Sequence, residues 1–203
     1  MKNLPAHGWI TGLTKYMGGS INAVLILFLG FLLNACALQS NVPLSPPDAL
    51  PANSPIIGTW VGSDPGEHSR TYVHVGNVQG VAKIIEVDFH DQGEMKSESQ
   101  DVSFTLIDGV NYISLKMTDS GKTSYMLMKL VFEGNDTVLV KTANYQFLAD
   151  AVGKGLVKGA VVSKPIVPYV FLSEDATALQ GFIAKYSDQI FSEGAGRFNR
   201  VQQ

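Results

Sequence analysis

The sequence has few of the features that identify a chemistry. Cys36 is the only cysteine in 203 residues, so no disulfide can form within the chain. Lys and Arg do not cluster, which argues against nucleic acid as a partner. No G-x-S-x-G or H-E-x-x-H motif is present. We therefore predict that the protein is not an enzyme and holds neither a metal nor a cofactor.

The longest apolar run lies near the N-terminus and predicts an export signal. Lys2 and Lys15 precede the uncharged run 23–33, and a small residue follows it closely. A charged start, a short apolar run and small residues before a cleavage point are typical of secretory signal peptides. The run is much shorter than the ~20 residues of a transmembrane helix, so a permanent membrane span is the weaker interpretation.

The run ends in Leu33-Asn34-Ala35-Cys36, which resembles the lipobox of bacterial lipoproteins. In that family the cysteine is acylated, for example with palmitate, and becomes the mature N-terminus. The resemblance implies a signal peptide over 1–35 and membrane attachment through Cys36, and several acyl chains anchor a protein stably. Because Ala37 is not the aspartate associated with inner-membrane retention, it also implies an outer-membrane lipoprotein facing the periplasm.

Proline is concentrated directly after this cysteine. Residues 36–56 combine prolines with Ser, Asn and Ala, a composition typical of semi-extended linkers. The prolines are Pro43, Pro46, Pro47, Pro51 and Pro55. We predict a tether over 36–56 and a single domain over 57–203, which is near the ~150-residue size that folds without disulfides.

The two-residue alternation of β-strands dominates the sequence after the tether. Turn-forming residues separate the apolar runs, and Asp108-Gly109 is suited to a two-residue type I′ turn. The predicted strands are 58–61, 70–75, 82–89, 102–106, 112–117, 124–132, 137–141 and 169–172. Sequential strands joined by tight turns predict an antiparallel meander.

Two stretches depart from this alternation. Residues 173–191 carry apolar side chains at helical spacing behind Ser173, which predicts a helix N-capped by Ser173 that packs on the sheet. A shorter helix is predicted within 144–160. The fold class is therefore mainly β with a C-terminal helix.

Gly58-Thr59-Trp60 opens the first predicted strand, and with the later order of elements the chain is similar to the lipocalins. In that family a G-x-W motif places tryptophan across the closed end of an eight-stranded up-and-down barrel, and a late arginine packs on its ring. The resemblance implies that Gly58, Trp60 and Arg200, or alternatively Arg197, form this end. The open alternative is a core tryptophan with a solvated arginine.

Glu86, Asp88 and His90 alternate on one predicted strand, with His68 and His74 shortly before them. Carboxylates and imidazoles at this spacing are possible metal ligands. The same alternation also places polar side chains on the solvated face of an antiparallel strand. We favour the solvated face.

Two functions remain open for a barrel of this kind. Its interior would bind a small apolar or amphipathic ligand, or it would be filled and the outer surface would contact an envelope protein. The run Tyr125-Met126-Leu127-Met128 and Phe132 suits either a cavity lining or a packed core, and we favour the core. An apolar cavity of several hundred Å³ would favour ligand binding.

Overall fold

The computed structural model describes residues 38–63, 70–89, 95–163 and 168–202. The predicted signal peptide 1–35, the predicted acylation site Cys36, and His68 and His90 lie outside the described residues. The helices are α1 (Tyr145–Gly153) and α2 (Ala176–Ile190). The strands are β1 (Leu38–Ser40), β2 (Gly58–Ser63), β3 (Arg70–Val78), β4 (Val81–Phe89), β5 (Met95–Ile107), β6 (Val110–Asp119), β7 (Lys122–Glu133), β8 (Thr137–Thr142), β9 (Gly159–Val162), β10 (Tyr169–Leu172) and β11 (Glu193–Arg200).

Eight of these strands close into an antiparallel barrel. Strands β2 to β8 pair with their sequence neighbours, and β11 closes the ring between β8 and β2. The predicted mainly β, up-and-down barrel with a C-terminal helix is confirmed. The two helices, β9 and β10 lie in the chain between the seventh and eighth barrel strands.

The turn between β5 and β6 shows how the sequence sets the strand register. Ile107 and Val110 pair, and Asp108 and Gly109 between them have φ values of 49° and 79°. Positive φ at both positions defines a type I′ turn, whose twist matches that of the flanking strands. The predicted turn is confirmed, and it aligns the apolar alternation of the two strands.

The alternation produces two separate cores. One fills the barrel and includes Trp60, Val102 and Met128. The other includes Tyr112 and Leu127, which face outward from β6 and β7, together with Leu179 of α2. The strands β6 and β7 therefore bury both faces, one against the barrel interior and the other against the helices.

The strand β7 has different partners along its length. Its first half pairs with β1, whereas its second half pairs with β8. Strand β1 also pairs in parallel with β10, and β10 pairs with the edge strand β9. This small lateral sheet extends the barrel wall outward and supports the two helices.

The prediction of a tether over 36–56 is wrong for the described residues 38–56, which are docked on the barrel. Leu38 and Leu44 are buried, and the Leu44 amide donates to Ser114 Oγ at 3.0 Å. Farther along, the Leu50 amide donates to Asn77 Oδ1 at 2.8 Å. Proline fixes the backbone of this strap, defined as residues 41–57, without preventing its apolar side chains from packing.

The helix boundaries differ slightly from the predicted ones. Asp175, not Ser173, caps α2, because its side chain accepts a hydrogen bond from the Ala178 amide at 2.9 Å. The shorter helix, predicted within 144–160, begins after Asn144, whose side chain accepts from the Phe147 amide at 3.0 Å. Both caps satisfy amides that have no partner within the helix.

Candidate functional site

One end of the barrel is closed around Trp60. Its ring is buried, and its indole Nε1 donates to the Ile56 carbonyl at 2.8 Å. The Arg200 guanidinium lies over the ring, with its central carbon 4.2 Å from the ring centroid. Of the two arginines considered, Arg200 is the one on the ring, while Arg197 pairs with Glu133 on the outside at 2.8 Å.

Arg200 also joins two backbone segments at this end through three carbonyls. Its Nη1 donates to the Ile57 carbonyl at 2.8 Å, its Nη2 to the Pro55 carbonyl, and its Nε to the Asn135 carbonyl at 3.0 Å. Gly58 makes room for this group, since a Cβ there would lie 2.5 Å from Nη1. The predicted residues Gly58, Trp60 and Arg200 are thus neighbours and hold the strap across the barrel end.

Above this end the barrel encloses a cavity of about 70 Å³. Most of its lining is apolar, and the polar exceptions all come from β4 and β5. The lining residues are Ile56, Trp60, Val73, Val75, Ile84, Glu86, Glu98, Gln100, Phe104, Ile113, Leu115, Met128, Leu130, Val138, Val140 and Phe198. Of the run singled out in the sequence, Met128 reaches the cavity, whereas Tyr125 and Leu127 face the outer core.

Two glycines shape the cavity by admitting the Phe198 ring. A Cβ at Gly62 would lie 2.7 Å from Phe198 Cε1, and one at Gly196 would lie 2.8 Å from Cε2. Both distances are below van der Waals contact. The ring is therefore held between β2 and β11, and it occupies interior space that would otherwise enlarge the cavity.

The carboxylates of β4 face this interior, so the prediction of a solvated face is wrong. Glu86 lines the cavity, and Asp88 is only 6% exposed. Glu98 of β5 is directly opposite Glu86, and Asp88 accepts a hydrogen bond from Thr71 Oγ1 at 2.6 Å. Phe89, on the opposite face of β4, is 46% exposed.

The surroundings of Glu86 disfavour a negative charge on its side chain. Burial, followed by the charges of Asp88 and Glu98, raises the pKa of Glu86 from 4.5 to about 8. No ion pair joins these carboxylates to a cation among the described residues. Beside them the Gln100 side-chain oxygen is buried without a hydrogen-bond partner.

Glu98 and the Gln100 side-chain oxygen are hydrogen-bond acceptors at one side of an apolar space, and Glu86, which keeps its proton up to about pH 8, can both donate and accept. This arrangement suits a polar group that donates protons or carries positive charge. Within the described part of the chain, no three His, Cys, Asp or Glu side chains could hold a metal ion. His74 lies on the outer surface, where its Nδ1 is 3.0 Å from Thr59 Oγ1.

Sequence reasoning missed two of the polar lining residues, Glu98 and Gln100. The predicted strand began at Val102, so the polar first half of β5 was left outside it. Glu98 and Gln100 precede Val102 and Phe104 at the same two-residue spacing. Extending the alternation upstream would have placed all four side chains on one face.

No family model, curated protein or solved structure matches this chain. Neither helix of the described part of the chain has the length and hydrophobicity of a transmembrane helix. The basis for a functional proposal is therefore the barrel, its cavity and the polar side chains that reach it.

Proposed function

We propose that the protein is a lipoprotein of the bacterial outer membrane, acylated at Cys36, whose periplasmic barrel binds a small amphipathic ligand. The apolar part of the ligand occupies the cavity, and its polar end meets Glu86, Glu98 and Gln100. The anchor is supported by the lipobox at Leu33-Asn34-Ala35-Cys36. The ligand is supported by the apolar cavity of the barrel and the polar side chains that line it.

The observation that carries the ligand proposal is the polar wall of an otherwise apolar cavity, formed by Glu86, Glu98 and Gln100. Two carboxylates directly opposite each other on neighbouring strands destabilise a sheet, and a buried acceptor without a partner adds a further cost. A barrel that needed only to be filled would be more stable with apolar side chains here. A ligand that donates hydrogen bonds to Glu86, Glu98 and Gln100 accounts for them.

The cavity volume limits the size of the apolar part. Sites that enclose a whole drug-sized ligand measure roughly 300–1,000 Å³, and an engineered cavity of roughly 150 Å³ binds benzene. The present cavity of about 70 Å³ therefore suits a short alkyl chain or the end of a longer one. Met128 is the most adaptable apolar side chain of the lining, because methionine has three rotatable bonds.

The polar wall selects the other end of the ligand. The oxygens of Glu98 and Gln100 accept hydrogen bonds and the negative charge of Glu98 repels an anion, so an amine or alcohol fits better than a carboxylate. A protonated amine is favoured over an alcohol, because its charge stabilises ionised Glu86 and Glu98. The expected ligand is a short-chain amine or a molecule that ends in one.

Isothermal titration calorimetry with pentylamine, pentanol and pentanoate tests this proposal. Pentylamine should bind most tightly and pentanoate least. Glu98→Gln should weaken pentylamine more than pentanol. Asp101→Asn is the matched control, because Asp101 lies on the same strand but pairs with Lys83 on the outside. Absence of saturable binding for all three compounds would refute the ligand proposal.

The small cavity also favours the second function, a structural or protein-interaction lipoprotein with a filled barrel. On that proposal none of the three compounds binds, and cross-linking in intact cells captures an envelope protein on the outer surface. Calorimetry and cross-linking therefore separate the two functions.

The anchor has its own test. Wild-type protein expressed in a bacterium should incorporate radioactive palmitate, and mass spectrometry should find a mature chain that begins at acylated Cys36. Cys36→Ser should remain an unprocessed, unlabelled precursor. Equal labelling of the variant would refute acylation at this residue.

A further inference from the structure

Very little chain separates Cys36 from the folded body. Leu38 is already paired with Val170 and is buried. Successive Cα atoms are ~3.8 Å apart, so the Cα of Cys36 lies within about 8 Å of the Cα of Leu38 whatever path the chain takes. If Cys36 is acylated, the body cannot move away from the membrane on a long tether.

The lateral sheet beside Leu38 ends in an exposed apolar edge. Leu38 pairs with Val170, and Val170 pairs with Val161 of the edge strand β9. Adjacent strands are ~4.8 Å apart, so the Cα of Val161, two strands away, lies about 10 Å from the Cα of Leu38. Val161 is 41% exposed, and Leu156, shortly before β9, is 51% exposed.

Between Asp150 and Glu174, all charged side chains of this part of the chain are basic. Residues 151–173 contain three lysines and no Asp or Glu, whereas the whole chain has a net charge of −3. Two of the lysines, Lys154 and Lys158, flank Leu156. The Lys158 side chain is 80% exposed, and its Nζ forms an ion pair at 3.5 Å with the largely buried Glu174, the first acidic residue after the segment.

We propose that Lys154, Leu156, Lys158 and Val161, named here the anchor edge, rest on the anionic lipid surface that holds acylated Cys36. This inference rests on the proposed acylation and adds an orientation to it. The apolar side chains enter the headgroup region, and the lysines contact lipid phosphates. The barrel is then attached side-on through its lateral sheet.

Fluorescence depth measurements on the acylated protein test the orientation. Val161→Cys and Val78→Cys are each labelled with an environment-sensitive fluorophore and reconstituted into vesicles of phosphatidylethanolamine and phosphatidylglycerol. Val78 is a matched control, because it is 40% exposed and lies on β3, four strands from β7 around the ring. Lipid-borne nitroxides should quench the label at position 161 and leave that at 78 unchanged.

The lysines are tested in the labelled Val161→Cys protein. Each basic residue near an anionic surface adds to the free energy of binding to that surface. The double substitution Lys154→Gln/Lys158→Gln should therefore lower the ratio of docked to undocked anchor edge roughly 30-fold. Lys154→Arg/Lys158→Arg keeps the charge and should keep the quenching. Replacing phosphatidylglycerol with phosphatidylcholine should reproduce the effect of the glutamines.

The outcomes separate this inference from the proposed anchor. Protein that does not float with the vesicles and lacks the acyl mass refutes the anchor, and the orientation with it. Protein that floats but shows equal quenching at positions 161 and 78, or none at 161, overturns the orientation and leaves the anchor in place.

Discussion

Replacing Glu86 with glutamine should stabilise the barrel at alkaline pH. The pKa of Glu86 is raised from 4.5 to about 8 in the folded protein, so the folded state holds a proton that the unfolded chain releases. The stability that Glu86 contributes is therefore fully present below pH 4.5 and is lost as the pH rises to about 8. Glutamine cannot ionise, so Glu86→Gln removes this fall.

The expected difference in stability follows from the rise in the pKa of Glu86. At ~1.36 kcal/mol per pH unit, the rise to about 8 corresponds to at most about 5 kcal/mol. Screening by solvent reduces this figure, because the side chain is not fully buried. We expect Glu86→Gln to be more stable than wild type by about 2–4 kcal/mol at pH 9 and to differ by no more than about 1 kcal/mol at pH 4.

Urea unfolding followed by Trp60 fluorescence at a series of pH values measures the difference. Trp60 is the sole tryptophan in residues 38–202, so the signal reports directly on the barrel interior. Asp101→Asn is the control with opposite sign, because the hydrogen bond from Lys83 lowers the pKa of Asp101. Parallel pH profiles for wild type and Glu86→Gln would show that the glutamate is not held protonated, and the reasoning would fail.

Three further substitutions test the packing. Arg200→Lys should lower the free energy of unfolding by about 2–4 kcal/mol, since one ammonium cannot replace a guanidinium bonded to three carbonyls; an unchanged urea midpoint would contradict this. Leu44→Ala should lower the free energy of unfolding by about 2–5 kcal/mol, because Leu44 is buried; an unchanged urea midpoint would indicate that the segment is a free tether. Gly62→Ala should cost about 1–3 kcal/mol and weaken pentylamine binding by pushing Phe198 into the cavity; calorimetry equal to wild type would exclude this displacement.

The barrel could be predicted because the sequence signals for its strands and turns involve only neighbouring residues. Apolar alternation in β6 and β7 and the Asp108-Gly109 turn depend on neighbouring residues alone. The face that β4 presents to the interior could not be predicted in this way. Ile85 and Val87 on one face are about as apolar as Ala82 and Ile84 on the other, so alternation groups the side chains without saying which group is buried.

The strap and the polar cavity wall escaped prediction for a related reason. Composition describes how a segment behaves alone, and the proline-rich residues 41–57 look like a linker when their partners are ignored. Leu44 is buried only because Ser114 and the helices are folded around it. Glu98 became a site residue only when β5 paired with β4 and brought it opposite Glu86.

The closure of the ring has a consequence for how the chain acquires its shape. Strand β11 pairs Arg200 with Trp60, residues that are far apart in the sequence, and this pairing completes the barrel. Contacts between such distant residues form slowly, because a long loop must first be closed. Until β11 has been delivered, the first seven barrel strands form an open sheet with two unpaired borders. A chain that crosses a membrane starting from its N-terminus would therefore close the barrel only after β11 had arrived.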